Sequence, residues 1–382
     1  MNKKNNQTLQ KITDLIPGIL IALFVMFLGI YGAEFIGYIL IKIGLLSAGS
    51  KTPVSGIFVA IIIGIMIRNT FDLSDIFKKG ISFSVKYALR AGIILLGLRL
   101  SLIEAVKLGA MGIPLILACI ASGLFITLYL TNKMNQSSRL GTLIAGGTGI
   151  CGVTAIMAIS PVIEAKENEI SYAVANITIF GLTGMILYPF LANILFVDDP
   201  IKAGLFLGTA IHDTAQVTGS ALIYDQMYDT SKVVDVATVT KLTRNLFIIV
   251  IIPFLSYLFF NNKNKEVKTK TLPKWYTFIP LFVIGFLLFS LIRTIGDITL
   301  TNSGQAFGIF NPNTWETIYE GVSSFGTTYL LGMAMAGVGL STDFKMFKGI
   351  GIKPFYIGFI AAVSVGFVSV TLVSLFGHFV VI

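Results

Sequence analysis

The feature that most constrains this chain is a series of eleven apolar runs, most of them long enough to cross a lipid bilayer as a helix. One crossing needs about 20 predominantly apolar residues, so eleven would use about 220 positions and leave only short loops. The sequence therefore predicts an all-α polytopic membrane protein with about 11 transmembrane helices. In chain order, the predicted spans are Leu15–Ala33, Val54–Ile67, Phe83–Leu98, Gly112–Leu130, Leu140–Val162, Ile170–Phe196, Ile201–Tyr224, Val236–Phe260, Trp275–Ile292, Gly321–Leu340 and Phe355–Val381.

Composition and motifs argue against several other classes of protein. Only 12% of the residues are charged, against roughly 25% in soluble domains. The two cysteines, Cys119 and Cys151, both lie in apolar runs, which argues against a secreted disulfide scaffold. The sequence has no phosphate-binding Walker motif and no cluster of metal ligands. We therefore expect neither an ATP-driven pump nor an enzyme, with no cofactor and no metal site.

The net charge of +9 reports orientation rather than a nucleic-acid partner. If the N-terminus is cytoplasmic, 17 of the 28 basic residues fall in inside segments and 7 in outside segments. This bias follows the positive-inside rule, so we expect a plasma-membrane protein with a cytoplasmic N-terminus and an external C-terminus. The first run has no convincing cleavage site, which favours a retained span over a signal peptide.

This topology divides the chain at one polar segment. Residues 1–260 are predicted to form an N-terminal transmembrane bundle of spans 1–8, and residues 275–382 a C-terminal bundle of spans 9–11, joined by a cytoplasmic linker at 261–274. The segments Ser82–Leu89 and Ser324–Leu331 match at an offset of 242 and would cross the membrane in opposite senses. Such an inverted repeat is typical of secondary transporters. Chance similarity between two apolar helices is the alternative.

The fifth span is predicted to be a broken helix within residues 138–164, because it holds four glycines in seven residues, 146–152. Each glycine costs about 1 kcal/mol relative to alanine in a helix. A break there exposes backbone N–H groups and a positive helix end, which together favour an anion. Close helix packing through small residues is the alternative. The candidate substrate-binding residues here are Thr148, Gly149, Ile150, Cys151 and Gly152.

The seventh span, 201–224, carries several polar side chains near its middle. Polar groups at that depth are costly unless they face an interior cavity or a partner. We expect Thr209 and Gln216 to contact substrate. His212 and Asp213 are candidates for proton coupling or gating, because histidine titrates near neutral pH. The alternative is a structural ion pair between Asp213 and a buried cation.

Four cations fall inside predicted spans: Lys86, Arg90, Lys241 and Arg244. The first two are four residues apart and the last two are three apart, so each pair shares one helix face. Asp213 is the one carboxylate predicted deep in a span, since Asp235 is expected in a solvated loop. A surplus of buried cations favours an anionic substrate. Snorkelling of the long side chains to the headgroups is the alternative.

These polar segments resemble the sulfate exporter family, the YeiH-type bacterial inner-membrane proteins. The resemblance implies the fold of the sodium/proton-antiporter and bile-acid-symporter group, in which broken helices cross at the midplane. It also implies a small anionic substrate and a bacterial inner membrane. One departure is Asp213, where the family usually has glutamate, and the partner that crosses span 5 is left open between spans 7 and 8. The matching pieces are Ser84–Arg90, Gly97–Arg99, Gly147–Gly152 running on to Val162, Gly208–Val217 and Lys241–Arg244.

The leading hypothesis is a secondary active transporter that exports a small oxyanion, sulfate or a sulfonate-like relative, by alternating access. Arg90 and Arg244 would bind the anion, assisted by Lys86, Lys241 and the backbone of the glycine cluster. The coupling ion, H+ or Na+, and a homodimeric state stay open, and membrane lipid is an expected partner. The alternatives are a cation/proton antiporter that uses Asp213 and a non-transporting structural membrane protein.

Overall fold

The computed structural model describes residues 13–43, 45, 54–261, 280–347 and 351–380. Regular secondary structure in these ranges is helical, so the all-α fold is confirmed for this part of the chain. Two π-helical segments, π1 (Ser84–Ala88) and π2 (Gly326–Leu331), interrupt α-helices. In chain order, the α-helices are α1 (Ile16–Lys42), α2 (Gly56–Thr70), α3 (Asp75–Phe83), α4 (Leu89–Leu96), α5 (Leu102–Lys133), α6 (Ser138–Gly149), α7 (Val153–Ile159), α8 (Glu167–Leu195), α9 (Pro200–Ala210), α10 (Thr214–Tyr228), α11 (Lys232–Leu246), α12 (Ile248–Asn261), α13 (Leu281–Ser303), α14 (Pro312–Phe325), α15 (Gly332–Ser341) and α16 (Ile352–Phe376).

Six continuous helical segments in the described part of the chain are long and apolar enough to cross a membrane. A seventh is added if α11 and α12, which meet at a 44° bend, count as one span. The predicted eleven crossings are not confirmed. The remaining predicted spans coincide with helices that are short, such as α2 with 15 residues, or interrupted. The six segments are Ile16–Lys42, Asp75–Arg99, Leu102–Lys133, Glu167–Leu195, Leu281–Ser303 and Ile352–Phe379.

The helices group into two compact units that interleave along the sequence. The first unit comprises the described residues of Met1–Ile103, Leu222–Ser231 and Ile284–Phe344. The second comprises those of Glu104–Ala221, Lys232–Val283 and Lys345–Ile382. This grouping differs from the predicted division into 1–260 and 275–382, because helices that are neighbours in the chain pack against different partners. The predicted linker lies almost entirely outside the described residues.

The first unit is held together by close approach of helix backbones. Helices α1 and α3 cross at Gly18 and Gly80, where a Cβ atom on either glycine would overlap backbone atoms of the other helix. Around this crossing, buried side chains such as Met26 and Ile81 form an apolar core. Glycine is required here because the space that a side chain would fill is occupied by the neighbouring helix.

The two segments of the predicted repeat adopt the same unusual local structure in the first unit. Ser84 begins π1 and Gly326, its counterpart at the offset of 242, begins π2. Helix α4, which follows π1, packs against π2, since a Cβ atom on Gly92 would meet the Leu331 side chain. The two segments thus share a π-helical position, while the repeat itself and its opposite membrane orientation stay predictions.

The second unit places the ends of two short helices in its interior. Helix α6 begins after Ser137, whose hydroxyl oxygen accepts a bond from the amide of Leu140. Helix α9 begins at Pro200, and the Asp199 carboxylate accepts a 3.0 Å bond from the amide of Lys202. Side-chain caps of this kind fix where helices start. Both helices then run inward and end among buried residues.

Candidate functional site at two helix breaks

Two interrupted helices form the most polar buried region of the second unit. Helix α6 ends at Gly149 and α7 begins at Val153, so the predicted break at the glycine cluster is present. The break is followed by 7 residues of helix, ending at Ile159 rather than near residue 164. A second break separates α9 from α10 at residues 211–213, within span 7, which the sequence left open together with span 8 as the partner that crosses span 5. We call residues 148–152 and 209–213, together with Lys241 and Arg244, the helix-break site.

Arg244 joins the two breaks through its guanidinium group. Its side chain is fully buried and projects from α11. Nη2 donates to the carbonyl of Thr148 at 2.7 Å, and Nε donates to that of Gly149 at 3.1 Å. Nη1 donates to the carbonyl of Thr209 at 2.6 Å. With further contacts from Nη2 to Gly149 and from Nη1 to Ile211, all five N–H donors of the guanidinium are used in this conformation.

Lys241 lies one turn earlier on the same face of α11 and is also fully buried. Its ammonium donates to the carbonyls of Ile150 at 3.2 Å and Ile211 at 3.1 Å, and also to that of His212. An ammonium has three N–H donors, so these contacts use its full capacity. Both cations therefore bind backbone oxygens of both breaks.

These contacts complete the hydrogen bonding at the end of α6. A helix leaves its last four carbonyls without intrahelical partners. Here the carbonyls of Gly146 and Gly147 accept from the amides of Ile150 and Gly152. Arg244 satisfies the other two, those of Thr148 and Gly149. The cations thus stabilise the negative ends of the broken helices. Because Arg244 binds carbonyls of both breaks, the break in span 7 is the one that meets the break in span 5.

Asp213 lies at the start of α10, against the backbone of the first break. Its Oδ1 accepts a 2.9 Å bond from the amide of Ala215, which caps the new helix. A Cβ atom on Gly152 would lie 2.9 Å from Oδ2, and Gly152 has a φ of +68°. The carboxylate also interacts electrostatically with Lys241. Among the described residues Asp213 forms no ion pair with a cation, so the alternative of a structural ion pair is not confirmed.

Two polar side chains of the site keep hydrogen-bonding atoms without partners. His212 is 2% exposed, and its Nδ1 atom has no hydrogen-bond partner among the residues that the structure describes. The Thr148 hydroxyl is fully buried and equally unpaired. Buried polar atoms are rarely left without partners, so such atoms are candidates for contacts with a ligand.

The remaining predicted residues of the second unit lie in or beside the helix-break site. The Thr209 hydroxyl is occupied, because it bonds to the Leu205 carbonyl and to the hydroxyl of Ser369. Gln216 is buried on α10, and its Oε1 atom has no partner. Cys151 is a buried free thiol within the first break. The glycine cluster contributes backbone rather than side chains.

The other two predicted cations belong to the first unit. Lys86 lies in π1 and Arg90 in α4, and both side chains are exposed on the protein surface, whereas Lys241 and Arg244 are fully buried. Their proposed part in anion binding stays a prediction. The same pattern of paired cations in an apolar run therefore corresponds to two different environments.

The structure adds polar residues of α11 and its surroundings that the sequence did not single out. Asp235 is buried within α11, so its expected position in a solvated loop is wrong. Asn245 donates a 3.1 Å bond to the Thr214 hydroxyl, while its own Oδ1 has no partner. Helix α11 is polar in composition yet almost wholly buried. The recurring threonines between Asp235 and Arg244 were the available signal of an interior polar helix.

Comparisons with known proteins place the chain in a family. A family profile described as "Conserved hypothetical protein 698" matches residues 17–358. A UPF0324 membrane protein of Fusobacterium nucleatum is 34% identical over 330 residues, covering 86% of this chain and 91% of that protein. The chain belongs to the UPF0324 family of membrane proteins. Further UPF0324 relatives are 33% identical in Streptococcus agalactiae and 32% in Bacillus cereus, covering 83% and 84% of this chain and 89% and 86% of theirs.

No solved structure matches this UPF0324 protein. The matched range includes both breaks, Lys241 and Arg244, so the helix-break site lies within the part of the chain that defines the family. The membrane assignment agrees with the apolar helices of both units.

Proposed function

We propose that this UPF0324 protein is a secondary active transporter that exports a small oxyanion, sulfate or a sulfonate-like relative, by alternating access. The observation that carries the proposal is the helix-break site, where two discontinuous helices meet at buried cations. Discontinuous helices with their broken ends at a polar centre are the binding elements of many secondary transporters. Such irregular backbone is tolerated in a membrane only where protein or a water-filled cavity satisfies it.

The charges at the site favour an anion. Lys241 and Arg244 contribute two positive charges, and Asp213 contributes one negative charge. Each helix end adds about half a charge, negative at the ends of α6 and α9 and positive at the starts of α7 and α10, so these ends largely cancel. Asp235 lies about 9 Å from Lys241 along the axis of α11. The centre itself therefore keeps one surplus positive charge when His212 is neutral.

The groups with spare hydrogen-bonding capacity give the anion its direct contacts. In this proposal the Thr148 hydroxyl and the Cys151 amide bind the oxyanion, while the rest of the backbone from Gly149 to Gly152 shapes the break, because the amides of Ile150 and Gly152 already donate to the carbonyls of Gly146 and Gly147. Arg244 and Lys241 hold the two breaks in place and supply the field, since their donors are already used by carbonyls. Gln216 contributes through its amide, and Thr209 contributes the carbonyl that positions Arg244.

His212 provides a route to couple the anion to a proton. When the ring is neutral and donates at its other nitrogen, Nδ1 carries a lone pair that can only accept. Protonation there converts the acceptor into a charged donor for an oxyanion. Proton binding and anion binding would then strengthen each other, because linkage between two sites is reciprocal. Asp213 assists by orienting the start of α10.

The first experiment measures labelled sulfate uptake into proteoliposomes preloaded with unlabelled sulfate. Thr148→Val removes a hydroxyl without breaking any hydrogen bond within the protein, so folding should be retained. A hydrogen bond to a charged ligand is worth about 1.5–3 kcal/mol, so exchange should fall by roughly ten- to a hundredfold at limiting sulfate. The matched control is Thr127→Val in the same unit, because that buried hydroxyl already bonds to the Gly123 carbonyl. Equal exchange by both variants would contradict the site assignment.

The second experiment tests the coupling role of His212. Wild-type sulfate flux should increase with an inwardly directed proton gradient and decrease as the pH on both sides is raised. His212→Gln can donate to the anion but cannot take up a proton, so its flux should be lower and nearly independent of pH. A wild-type pH profile that persists in His212→Gln would assign coupling to another group.

A cation/proton antiporter is the second candidate, favoured by the position of Asp213 at the meeting point of the two breaks. In that case Asp213→Asn abolishes sodium- or lithium-driven dissipation of a pH gradient, while Thr148→Val has little effect. In the oxyanion case the wild type shows no cation-driven dissipation at all. Absence of flux for every solute would instead indicate a non-transporting structural protein.

The proposed role of Lys86 and Arg90 in anion binding needs a test of its own. Both are exposed and belong to the first unit, so the transport assay should include Arg90→Gln alongside the variants of the second unit. Reduced sulfate exchange in Arg90→Gln would extend the anion path to the first unit, and unchanged exchange would restrict it to the helix-break site. The homodimeric state is independent of this outcome and is measured by the mass of the purified protein in detergent.

A further inference from the structure

A cavity of about 290 Å³ opens at one end of the first unit and is lined by three cations, Arg68, Lys78 and Lys86. Apolar side chains, among them Phe77 and Val85, cover much of its remaining wall. None of the residues of the helix-break site lines this cavity. A wall with three cations, two serines and otherwise apolar side chains suits an amphiphilic ligand with an anionic group.

The cavity lies where several helices of the first unit begin or end. Arg68 is in the last turn of α2, and Lys78 is in the first turns of α3. The segment that starts with α3 is one of the helices able to cross a membrane, so its beginning lies near a bilayer surface. Lys86 follows Lys78 by about 12 Å along the helix axis. Lys78 therefore lies nearer to the bilayer surface and Lys86 lies deeper.

The charges of the cavity are only partly balanced by protein carboxylates. Arg68 forms a 2.8 Å ion pair with Asp343, and Lys78 forms one of 2.5 Å with Asp75. Lys86 forms no ion pair with the residues that the structure describes. Counted over the described residues, one positive charge of the cavity therefore has no carboxylate partner, which matches the single negative charge of a phosphodiester.

We propose that this cavity binds an anionic phospholipid of the phosphatidylglycerol type. The phosphate lies between Lys78 and Lys86, and the first part of an acyl chain runs along Phe77 and Val85. Basic pockets between membrane helices recognise anionic headgroups by this combination of charge and apolar contact. The proposal gives Lys86 a lipid-binding role, and it does not depend on which solute the helix-break site transports.

The experiment measures lipid retained by the full-length protein in detergent, with native mass spectrometry during titration by phosphatidylglycerol. Lys86→Gln and Lys78→Gln should each weaken binding about fivefold, the effect expected for one lysine near a membrane surface. The matched control is Lys79→Gln, because Lys79 is the neighbouring lysine but pairs with Asp14 and does not line the cavity. It should bind the lipid like the wild type. Lys86→Arg keeps the charge and should retain binding.

Competing ligands separate the lipid from other anions. Phosphatidylcholine, sn-glycerol 1-phosphate, inorganic phosphate and sulfate are titrated in parallel, with the shift in thermal unfolding as a second readout. The proposal expects a clear shift for phosphatidylglycerol alone. An equal shift with phosphatidylcholine would overturn the charge recognition, and an equal shift with phosphate or sulfate would overturn the lipid assignment. Full binding by Lys86→Gln would overturn it as well. If that variant does not fold, Lys78→Gln against Lys79→Gln decides.

Discussion

The two units of this protein manage charged groups in opposite ways. In the first unit, Arg68 pairs with Asp343 where both side chains are about one-fifth exposed, and the backbones of α1 and α3 meet at glycines. In the second unit, Lys241 and Arg244 are fully buried and bind backbone carbonyls instead of carboxylates. The side chains with buried hydrogen-bonding atoms that lack partners, such as Thr148 and His212, are also found in the second unit.

We interpret the first unit as a structural scaffold and the second unit as the one that holds the candidate site. Burying a charge without compensation is costly, so a protein keeps buried cations only where fixed dipoles or partners stabilise them. The broken ends of α6 and α9 supply those dipoles, and the cations in turn make the breaks stable. In the first unit, by contrast, ion pairs lie near the solvent and helices meet at glycines. The predictions below test this contrast, from the largest expected effect to the smallest.

The largest effect is expected for Arg244→Ala. The change leaves carbonyls of Thr148, Gly149 and Thr209 unsatisfied in the interior, and the loss of one partner of a buried charged interaction costs about 3–5 kcal/mol. Thermal unfolding in detergent measures the loss of stability. The matched control is Arg68→Ala in the first unit, which removes a partly exposed ion pair and should cost about 1 kcal/mol or less. Equal destabilisation by both changes would remove the distinction between the units.

Sequence reasoning accounts for some of this architecture and fails at identifiable points. The break after Gly149 was predictable because clustered glycines destabilise a helix through their own backbone freedom. The break at 211–213 contains neither glycine nor proline. It depends on Lys241, which binds the carbonyls of Ile211 and His212, a contact between residues about thirty positions apart. Local propensity contains no information about such a partner.

The four cations that the sequence predicts inside spans show the same limit of sequence reasoning at the site. Lys86 with Arg90 and Lys241 with Arg244 have equivalent spacing on predicted helices, yet one pair is exposed and the other buried. Spacing identifies a shared helix face but not what covers that face. The buried position of Asp235 was missed for a related reason, since Asp235 lies one residue before the predicted start of the eighth span at Val236, and the local sequence does not show what covers it.

The next largest effect is expected at the glycine crossing of the first unit. In Gly18→Ala the new methyl group overlaps backbone atoms of α3, and the two helices must move apart. Overpacking of this kind costs about 3 kcal/mol when backbone cannot yield. The matched control is Gly321→Ala on α14, where a Cβ atom meets no other atom within 4 Å. That change should raise the free energy of unfolding by about 0.5–1 kcal/mol, since alanine favours a helix. A neutral Gly18→Ala would contradict the close crossing.

A smaller effect is expected for Gly152→Ala in the second unit. The positive φ costs roughly 1–2 kcal/mol for an alanine, and the new Cβ atom lies tight against Asp213. Gly304→Ala is the matched control, because Gly304 has a similar φ of +73° but no neighbour within 4 Å of the added atom. The two variants should lose similar stability from backbone strain. Only Gly152→Ala should also lose solute flux, because it displaces Asp213, and equal flux in both variants would argue against that role.

The smallest effect is expected for Asp199→Asn at the start of α9. Partial burial acts to raise the pKa of the Asp199 carboxyl, but hydrogen bonds from the Lys202 amide and ammonium outweigh it and hold the pKa below its ordinary value. Because the folded pKa is lowered, the ion pair stabilises the protein above the ordinary pKa, and this contribution is lost as the pH falls through the folded value.

Asparagine still caps the helix, so only the charged part of the Asp199 interaction is removed. The expected loss is about 0.5 kcal/mol at neutral pH, reduced by solvent screening of a pair that is about one-third exposed. Unfolding of the variant and the wild type should converge in acid, where the wild-type carboxyl is protonated as well. A gap between Asp199→Asn and the wild type that persists in acid would mean that asparagine changes the cap itself and not merely its charge.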